Sequence, residues 1–149
     1  MVTNPRWTSR RALLRSIDSA RVKRAIETAE KDTSGQICVS FAPFFWGDVD
    51  RAAVRALERL GTKRAGHRNG VLILVAPARR RFVVCGDGGI HAKVGDVFWE
   101  DVCRLLGARF REGDFTEGLV QAIAVIGEQL RLHFPAEPTN ARHDGEQGG

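Results

Sequence analysis

The run Gly-Val-Leu-Ile-Leu-Val-Ala at residues 70–76 restricts the fold more than any other feature. It is far shorter than the roughly 20 apolar residues that a membrane span requires. It is rich in β-branched and aliphatic residues, and Asn69 and Pro77 bound it. Such a run is typical of a strand that is buried on both faces, so the fold must supply cover on each side of the sheet.

Before this strand, the sequence predicts two helices and a first strand. Asp18 is placed to cap a helix that ends near Gly35, and residues 37–42 form the strand, which ends before Pro43. Asp48 caps the second helix. Apolar residues at helical spacing continue this helix to Gly61, and residues 62–69 form a loop.

After the strand, residues 77–80 form a turn and 81–85 return as the second arm of a hairpin. Residues 86–96 read as a glycine-rich connection to a helix that ends at Gly113. Asp114 then begins the last helix, with Glu117 three residues later in a capping-box pattern, and Pro135 ends the domain.

The predicted element order is helix, strand, helix, strand, strand, helix, helix. A helix connects the first two strands, so they should be parallel with a right-handed crossover. The third strand should pair antiparallel to the second. Helices on both faces then give one α/β domain, a three-layer α/β/α sandwich with a small mixed sheet.

The length of 149 residues and the 43% hydrophobic content suit one domain. We assign residues 1–15 to a basic flexible arm, 16–135 to the domain, and 136–149 to a disordered tail without large apolar residues. The start of the sequence lacks the apolar segment of a signal peptide, which predicts a cytoplasmic protein.

The net charge of +5 is concentrated at the beginning of the chain. Residues 1–25 hold seven basic groups and one acidic group, so the remainder is nearly neutral. A solvated arm is the favoured interpretation, and peripheral attraction to the anionic inner membrane is the alternative. No aromatic ladder accompanies the arginines, so nucleic-acid binding is not favoured.

The three cysteines, Cys38, Cys85 and Cys103, lie far apart and form no Cys-x-x-Cys pair. Two fall in apolar strands and the third falls in a helical pattern. Buried reduced thiols are therefore expected, rather than a zinc site or a disulfide framework.

The stretch Gly-Asp-Gly-Gly-Ile-His-Ala-Lys-Val-Gly-Asp, residues 86–96, contains the main candidates for chemistry. It matches neither Gly-x-Gly-x-x-Gly nor the phosphate-binding loop pattern, so a nucleotide site is poorly supported. Asp87 is the candidate catalytic residue, and Asp87 with Asp96 could hold Ca²⁺ or Mg²⁺, although no cofactor is certain. Asp96 is equally well placed to cap the following helix, and His91 fits an exposed loop.

Two loops complete the candidate ligand or partner surface, which we place with residues 86–96 at the carboxyl end of the sheet. Three consecutive aromatic residues after Pro43 form either an exposed partner patch or a lid. The basic loop 62–69 could supply charge, while Asn69 suits a turn before Gly70. The residues of these two loops are Phe44, Phe45, Trp46, Thr62, Arg68 and Asn69.

Four blocks of the chain resemble the TPM domain family, which is named for a plant thylakoid lumen protein, a photosystem II repair protein and a nematode receptor modulator. The similar blocks are ETAEKDTSGQICV (27–39), GTKRAGHRNGVLILVA (61–76), RRRFVVCGDGGIHAKVGDVFWEDV (79–102) and FREGDFTEGLVQAIAVIGEQLRLHFP (110–135). They span almost the whole domain, and the last two are similar to a bacterial subgroup.

This resemblance implies the α/β/α fold and several activities. A plant member is a weak acid phosphatase, some members bind a divalent metal, and others are accessory or assembly factors at membranes. Many relatives carry a signal peptide and a membrane anchor, and this chain shows neither. Gln36 stands where the family often has Glu, which removes one acidic group.

We therefore expect a non-catalytic accessory or binding domain that recognises a protein partner, at a membrane in some relatives. The alternative is a weak metal-dependent acid phosphatase that uses Asp87 and Asp96. No CxxxxxR or DxDx phosphatase signature is present. The sequence leaves the oligomeric state open.

Overall fold

A computed structural model describes residues 17–42, 47–63, 69–77 and 81–136. The basic arm assigned to residues 1–15 lies outside the described residues, and so does the tail after residue 136. Four helices and three strands make up the described part of the chain. In chain order they are α1 (Ser19–Ala29), β1 (Gln36–Phe41), α2 (Val49–Lys63), β2 (Gly70–Ala76), β3 (Arg81–Gly86), α3 (Gly88–Arg111) and α4 (Phe115–His133).

The sheet has the order β1-β2-β3, with the apolar run of β2 in its centre. β1 pairs parallel to β2, with Gln36 opposite Gly70 and Phe41 opposite Val75. β3 returns antiparallel, with Val71 opposite Gly86 and Ala76 opposite Arg81. The predicted mixed sheet is confirmed.

Both faces of β2 are buried, and each face belongs to a different core. Because successive side chains of a strand point to opposite faces, the residues of β2 alternate between the two cores. Val71, Ile73 and Val75 pack in the larger core with α1, α3 and α4. Leu72 and Leu74 pack on the other face against α2. The predicted α/β fold with helices on both faces is therefore confirmed.

Two predicted helix caps are confirmed, and a third is only partly right. The Asp18 carboxylate accepts a hydrogen bond from the Arg21 N–H at 3.1 Å, and Asp48 accepts one from the Arg51 N–H at 3.1 Å. Asp114 occupies the N-cap position of α4 but makes no side-chain cap bond.

Glu117 contributes to tertiary structure instead of a capping box. Its carboxylate pairs with Arg21 at 3.1 Å and accepts a hydrogen bond from Gln121 at 3.2 Å. Glu117 therefore ties α4 to α1, which lies far away in sequence.

Two helix boundaries differ from the sequence prediction. α2 continues through Gly61 to Lys63, because a glycine lowers helix stability without forbidding the helix. α3 begins at Gly88, so most of the predicted glycine-rich connection at 86–96 is helical. Only Gly95, with φ 79°, leaves helical geometry, and it kinks α3 near its start.

The connection between α1 and β1 is fastened to the end of α4. The Thr33 hydroxyl lies within hydrogen-bond distance of the Leu130 and Phe134 carbonyl oxygens, and it accepts a bond from the Gly35 N–H at 3.0 Å. These contacts hold the entrance of β1 against the end of α4. No helix among the described residues is long and apolar enough to cross a membrane.

Candidate functional site

The sheet topology divides the predicted site between two opposite ends. Phe41 ends β1 at the carboxyl end of the parallel pair, and residues 43–46 follow it in sequence. Asn69 precedes β2, and Asp87 follows the antiparallel β3, so both lie at the amino end. Strands of six or seven residues place the two ends about 20 Å apart.

The predicted carboxyl-end site built from three loops is therefore wrong in its placement. The signal that locates Asp87 was present in the sequence, because a hairpin returns the chain to the end at which β2 began. Asp87, Asn69 and the entrance of β1 share the amino end. We call this group of described residues, 34–36, 69–70 and 86–91, the amino-end site.

Hydrogen bonds join three distant segments of the chain within the amino-end site. The Asn69 side-chain amide donates to Ser34 Oγ at 2.9 Å. The next residue, Gly70, donates its N–H to Asp87 Oδ2 at 3.1 Å and accepts from the Asp87 N–H at 2.8 Å. Asn69 is 3% exposed, and among the described residues it is the only buried polar side chain. The predicted turn residue thus also links β1 to β2.

Asp87 lies at the start of α3 and also contacts the start of β2. It is the N-cap residue of α3, yet its side chain makes no cap bond to that helix. Its carboxylate holds the N–H of Gly70 instead, at the start of the central strand. Asp87 therefore joins the open ends of β2 and β3 through its side chain. An aspartate beside glycines does not reveal this structural contact in the sequence.

His91 is held from both sides of its ring. The Trp99 indole N–H donates to His91 Nδ1 at 3.0 Å, and Asp96 Oδ1 lies 3.4 Å from His91 Nε2. Since Nδ1 accepts, the ring proton of the neutral histidine is on Nε2, facing the carboxylate. These contacts bridge the kink at Gly95. The structure thus brings His91 and Asp96 together. The N-cap position of α3 belongs to Asp87 rather than to Asp96, the cap that the sequence suggested.

Gly86 makes room for the same cluster. A Cβ atom at this position would lie 2.6 Å from Cζ2 of Trp99 and 2.9 Å from Cγ2 of Ile90. The glycine therefore serves close packing of the Trp99 ring rather than an anion cradle. No sequence argument identified Ser34 as a member of the amino-end site, or Trp99 as the residue that packs on Gly86 and bonds to His91.

The pKa of the Cys85 thiol is raised to about 11, mainly by burial and to a smaller extent by the carboxylates of Asp87 and Asp50. The pKa values of Cys38 and Cys103 are also raised, mainly by burial. All three cysteines are unpaired. All three are half-buried rather than buried, so the predicted burial is only partly right. Thiols rather than thiolates predominate near neutral pH.

The residues predicted for the other two loops are placed only in part. Thr62 lies in the last turn of α2. Phe44, Phe45, Trp46 and Arg68 lie outside the described residues. The aromatic patch or lid at 44–46 therefore stays a prediction.

The described residues do not by themselves fit a metal ion. Within residues 17–42, 47–63, 69–77 and 81–136, no three histidine, cysteine or acidic side chains come together. One oxygen of Asp87 is bound to Gly70, and Asp96 faces His91. Calcium requires six to eight oxygen ligands, so we derive no step through a metal.

The mixed three-stranded sheet with helices on both faces places the protein among small three-layer α/β domains. Within this class, the family model for the TPM domain matches residues 8–129. The chain belongs to the TPM domain family. The match begins inside the segment that was assigned to the basic arm.

Solved structures agree with this assignment. The BA42 protein of the psychrophilic bacterium Bizionia argentinensis is 34% identical, with a TM-score of 0.72 over 82% of this chain and 86% of its own. The N-terminal domain of protein cg2496 from Corynebacterium glutamicum is 17% identical, with a TM-score of 0.59 over 74% and 70%.

A third structure, the N-terminal domain of a protein from P. gingivalis, is 14% identical, with a TM-score of 0.63 over 81% of this chain and 82% of its own. At this identity, the last two structures support the fold alone. No curated protein matches the chain.

Proposed function

We propose that this TPM domain is a non-catalytic accessory domain that binds a protein partner through its amino-end site. The observation that carries the proposal is the hydrogen bond from the Gly70 N–H to the Asp87 carboxylate. Asp87 is the main catalytic candidate, and this bond ties its side chain to the sheet. A nucleophile or metal ligand for phosphoryl transfer must instead reach the substrate. Asp96, the second candidate, faces His91.

The amino-end site offers a surface suited to a partner. Gln36 and His91 are exposed there, and Asp87 is half-buried. Val97, the residue after Asp96, is 67% exposed although it is apolar. Exposed polar groups on a hydrogen-bonded frame, with an exposed apolar residue close to His91 in sequence, are suited to contact with a protein partner.

A weak acid phosphatase is the second candidate, since the matching family model carries the name TPM phosphatase. This activity would require Asp87 to exchange its contact with Gly70 for a contact with substrate or metal. It would also require ligands from outside the described residues, because those residues supply no metal group of three side chains.

Hydrolysis of p-nitrophenyl phosphate separates the two candidates. We would assay the wild type at acid and neutral pH with Ca²⁺, with Mg²⁺ and with EDTA. Asp87→Asn is the informative variant, because its amide oxygen can still accept from Gly70. Asp101→Asn is the matched control, since Asp101 is exposed on α3 and pairs only with nearby Arg104 at 2.6 Å among the described residues.

The proposal predicts no hydrolysis above background for any of the three proteins. Hydrolysis by the wild type and by Asp101→Asn that disappears in a folded Asp87→Asn would establish the phosphatase and overturn the non-catalytic assignment.

Site-specific photo-cross-linking in cells tests where the partner binds. A photoreactive residue at Gln36 should yield a discrete cross-linked protein. The same residue at Val54, which is 50% exposed on α2, should not. Equal yields from both positions, or a product from Val54 alone, would place the partner elsewhere.

A further inference from the structure

The helices α1 and α4 run side by side in the same direction and enclose an open groove. Near their starts, the Asp18 N–H donates to Thr116 Oγ1 at 2.9 Å. Near their ends, Arg131 Nη1 donates to the Ala29 carbonyl oxygen at 3.2 Å. The groove between these two contacts has a volume of about 460 Å³. It lies apart from the amino-end site residues.

Small and apolar side chains form the floor of this groove. Ala25 and Ala29 contribute from α1, and Val120 and Ala124 contribute from α4. Short side chains leave the groove wide enough for the side chains of another segment. The floor therefore offers apolar contact along a little more than one turn of each helix.

The walls carry an excess of positive charge. Three arginines, Arg21, Arg24 and Arg131, line the groove together with a single acidic residue, Glu128. Arg21 is neutralised by Glu117 at 3.1 Å, whereas Arg131 donates to a neutral carbonyl and keeps its charge uncompensated there. Among the described residues, Arg24 has no ion-pair partner within 4.0 Å.

We propose that the groove between α1 and α4 binds an acidic peptide segment of a partner protein. Carboxylates of that segment pair with Arg24 and Arg131, and apolar residues between them cover Ala25 and Ala124. Guanidinium groups recognise carboxylates through paired N–H donors, which favours this occupant by charge complementarity. The chain's own basic arm is excluded as occupant, because residues 1–15 contain four arginines and no acidic residue.

Fluorescence anisotropy with a labelled peptide of glutamate and leucine tests the proposal on the full chain. The control peptide has glutamine in place of each glutamate. We expect saturable binding of the acidic peptide only. Arg24→Glu should weaken binding by roughly tenfold or more, because it replaces an attractive charge with a repulsive one. A tenfold change in affinity corresponds to about 1.4 kcal/mol of binding free energy.

Arg55→Glu is the matched control variant, because it makes the same charge change at an exposed position of α2. It should leave the affinity within about a factor of two of the wild type. A second groove variant, Ala124→Glu, should weaken binding in the same direction as Arg24→Glu. Circular dichroism of each variant confirms that it is folded.

Four results would overturn the proposal. One is equal binding of the acidic and neutral peptides, and another is equal loss in Arg24→Glu and Arg55→Glu. The third is a shift of the backbone NMR signals of Ala25 and Ala124 when the chain is truncated after Ala136, which would make the chain's own tail the occupant. A peptide-free dimer that Arg24→Glu dissociates would likewise assign the groove to a second copy.

Discussion

The N–H of Gly70 donates to the Asp87 carboxylate at 3.1 Å, and the N–H of Asp87 donates back to the Gly70 carbonyl oxygen at 2.8 Å. The two residues lie at the open end of the β2–β3 hairpin, just beyond its outermost backbone pair, Val71 opposite Gly86. The side chain of Asp87 therefore supplies an acceptor for the first N–H of the central strand. This contact gives the aspartate that follows β3 a structural role.

The contact between α1 and α4 depends on a glycine. A Cβ atom at Gly127 would lie 2.6 Å from Cβ and 3.0 Å from Cα of Ala29. Gly127→Ala must therefore push the two helices apart, at a cost that exceeds its gain in helix propensity. We expect a loss of about 1–2 kcal/mol in the free energy of unfolding, measured by urea denaturation.

Gly107→Ala is the control for this variant, because Gly107 is also a helical glycine. There the nearest atom to a new Cβ would be Arg111 Nη1 at 3.5 Å, an ordinary contact. This variant should gain about 0.5–1 kcal/mol from helix propensity. Equal effects of the two substitutions would mean that α1 and α4 are not in close contact.

The hydroxyl of Thr33 fastens the entrance of β1 to the end of α4. Thr33→Val keeps the shape of the side chain but removes the donor for the carbonyl oxygens of Leu130 and Phe134 and the acceptor for the Gly35 N–H. Because Gly35 is buried, its N–H would be left unsatisfied. We expect a loss of about 1–3 kcal/mol in the free energy of unfolding.

Thr33→Ser keeps the hydroxyl and should retain most of that stability. Hydrogen exchange at Gly35 provides a second readout, because its amide should exchange faster in Thr33→Val than in Thr33→Ser. Indistinguishable exchange in the two variants would contradict the role assigned to the hydroxyl.

The thiol of Cys85 should make the stability fall in alkaline solution. Its folded pKa of about 11 lies above the ordinary value of 9.0, so the folded state keeps this proton longer than the unfolded state does. The stabilising contribution is therefore complete below pH 9 and is lost as the pH rises through 11.

Urea denaturation of the wild type and Cys85→Ala between pH 8 and 11 measures this linkage. The slope of the unfolding free energy against pH should be smaller in Cys85→Ala, whatever its absolute stability. Cys38 and Cys103, whose pKa values are also raised, leave a residual slope. Parallel curves for the two proteins would show that Cys85 does not contribute.

The sequence was sufficient for the architecture because its strongest signals are local. The apolar run at 70–76 identified the central strand, and the caps Asp18 and Asp48 located two helix starts. The helical crossover and the short turn then determined which strands are parallel. The glycines of 86–96 misled the prediction, because Gly88 and Gly89 are helical and only Gly95 requires a positive φ.

The site was harder to predict because its contacts join distant segments. Asn69 and Ser34 lie 35 residues apart, and Gly70 and Asp87 lie 17 apart. Neither pair follows from spacing or residue type, since both depend on strand register. The sequence singled out Asp87 as the candidate catalytic residue, and in the structure its carboxylate accepts from a backbone N–H.

The free energy of unfolding of Asp87→Ala, compared with Asp87→Asn and the wild type, tests most directly whether Asp87 serves the fold. Asp87→Ala removes the acceptor for the buried Gly70 N–H and should cost about 1–3 kcal/mol, while Asp87→Asn retains an acceptor and should stay close to the wild type. If Asp87→Ala is as stable as the wild type, the Gly70 contact carries no stability. Asp87 would then be free for chemistry, contrary to the account given above.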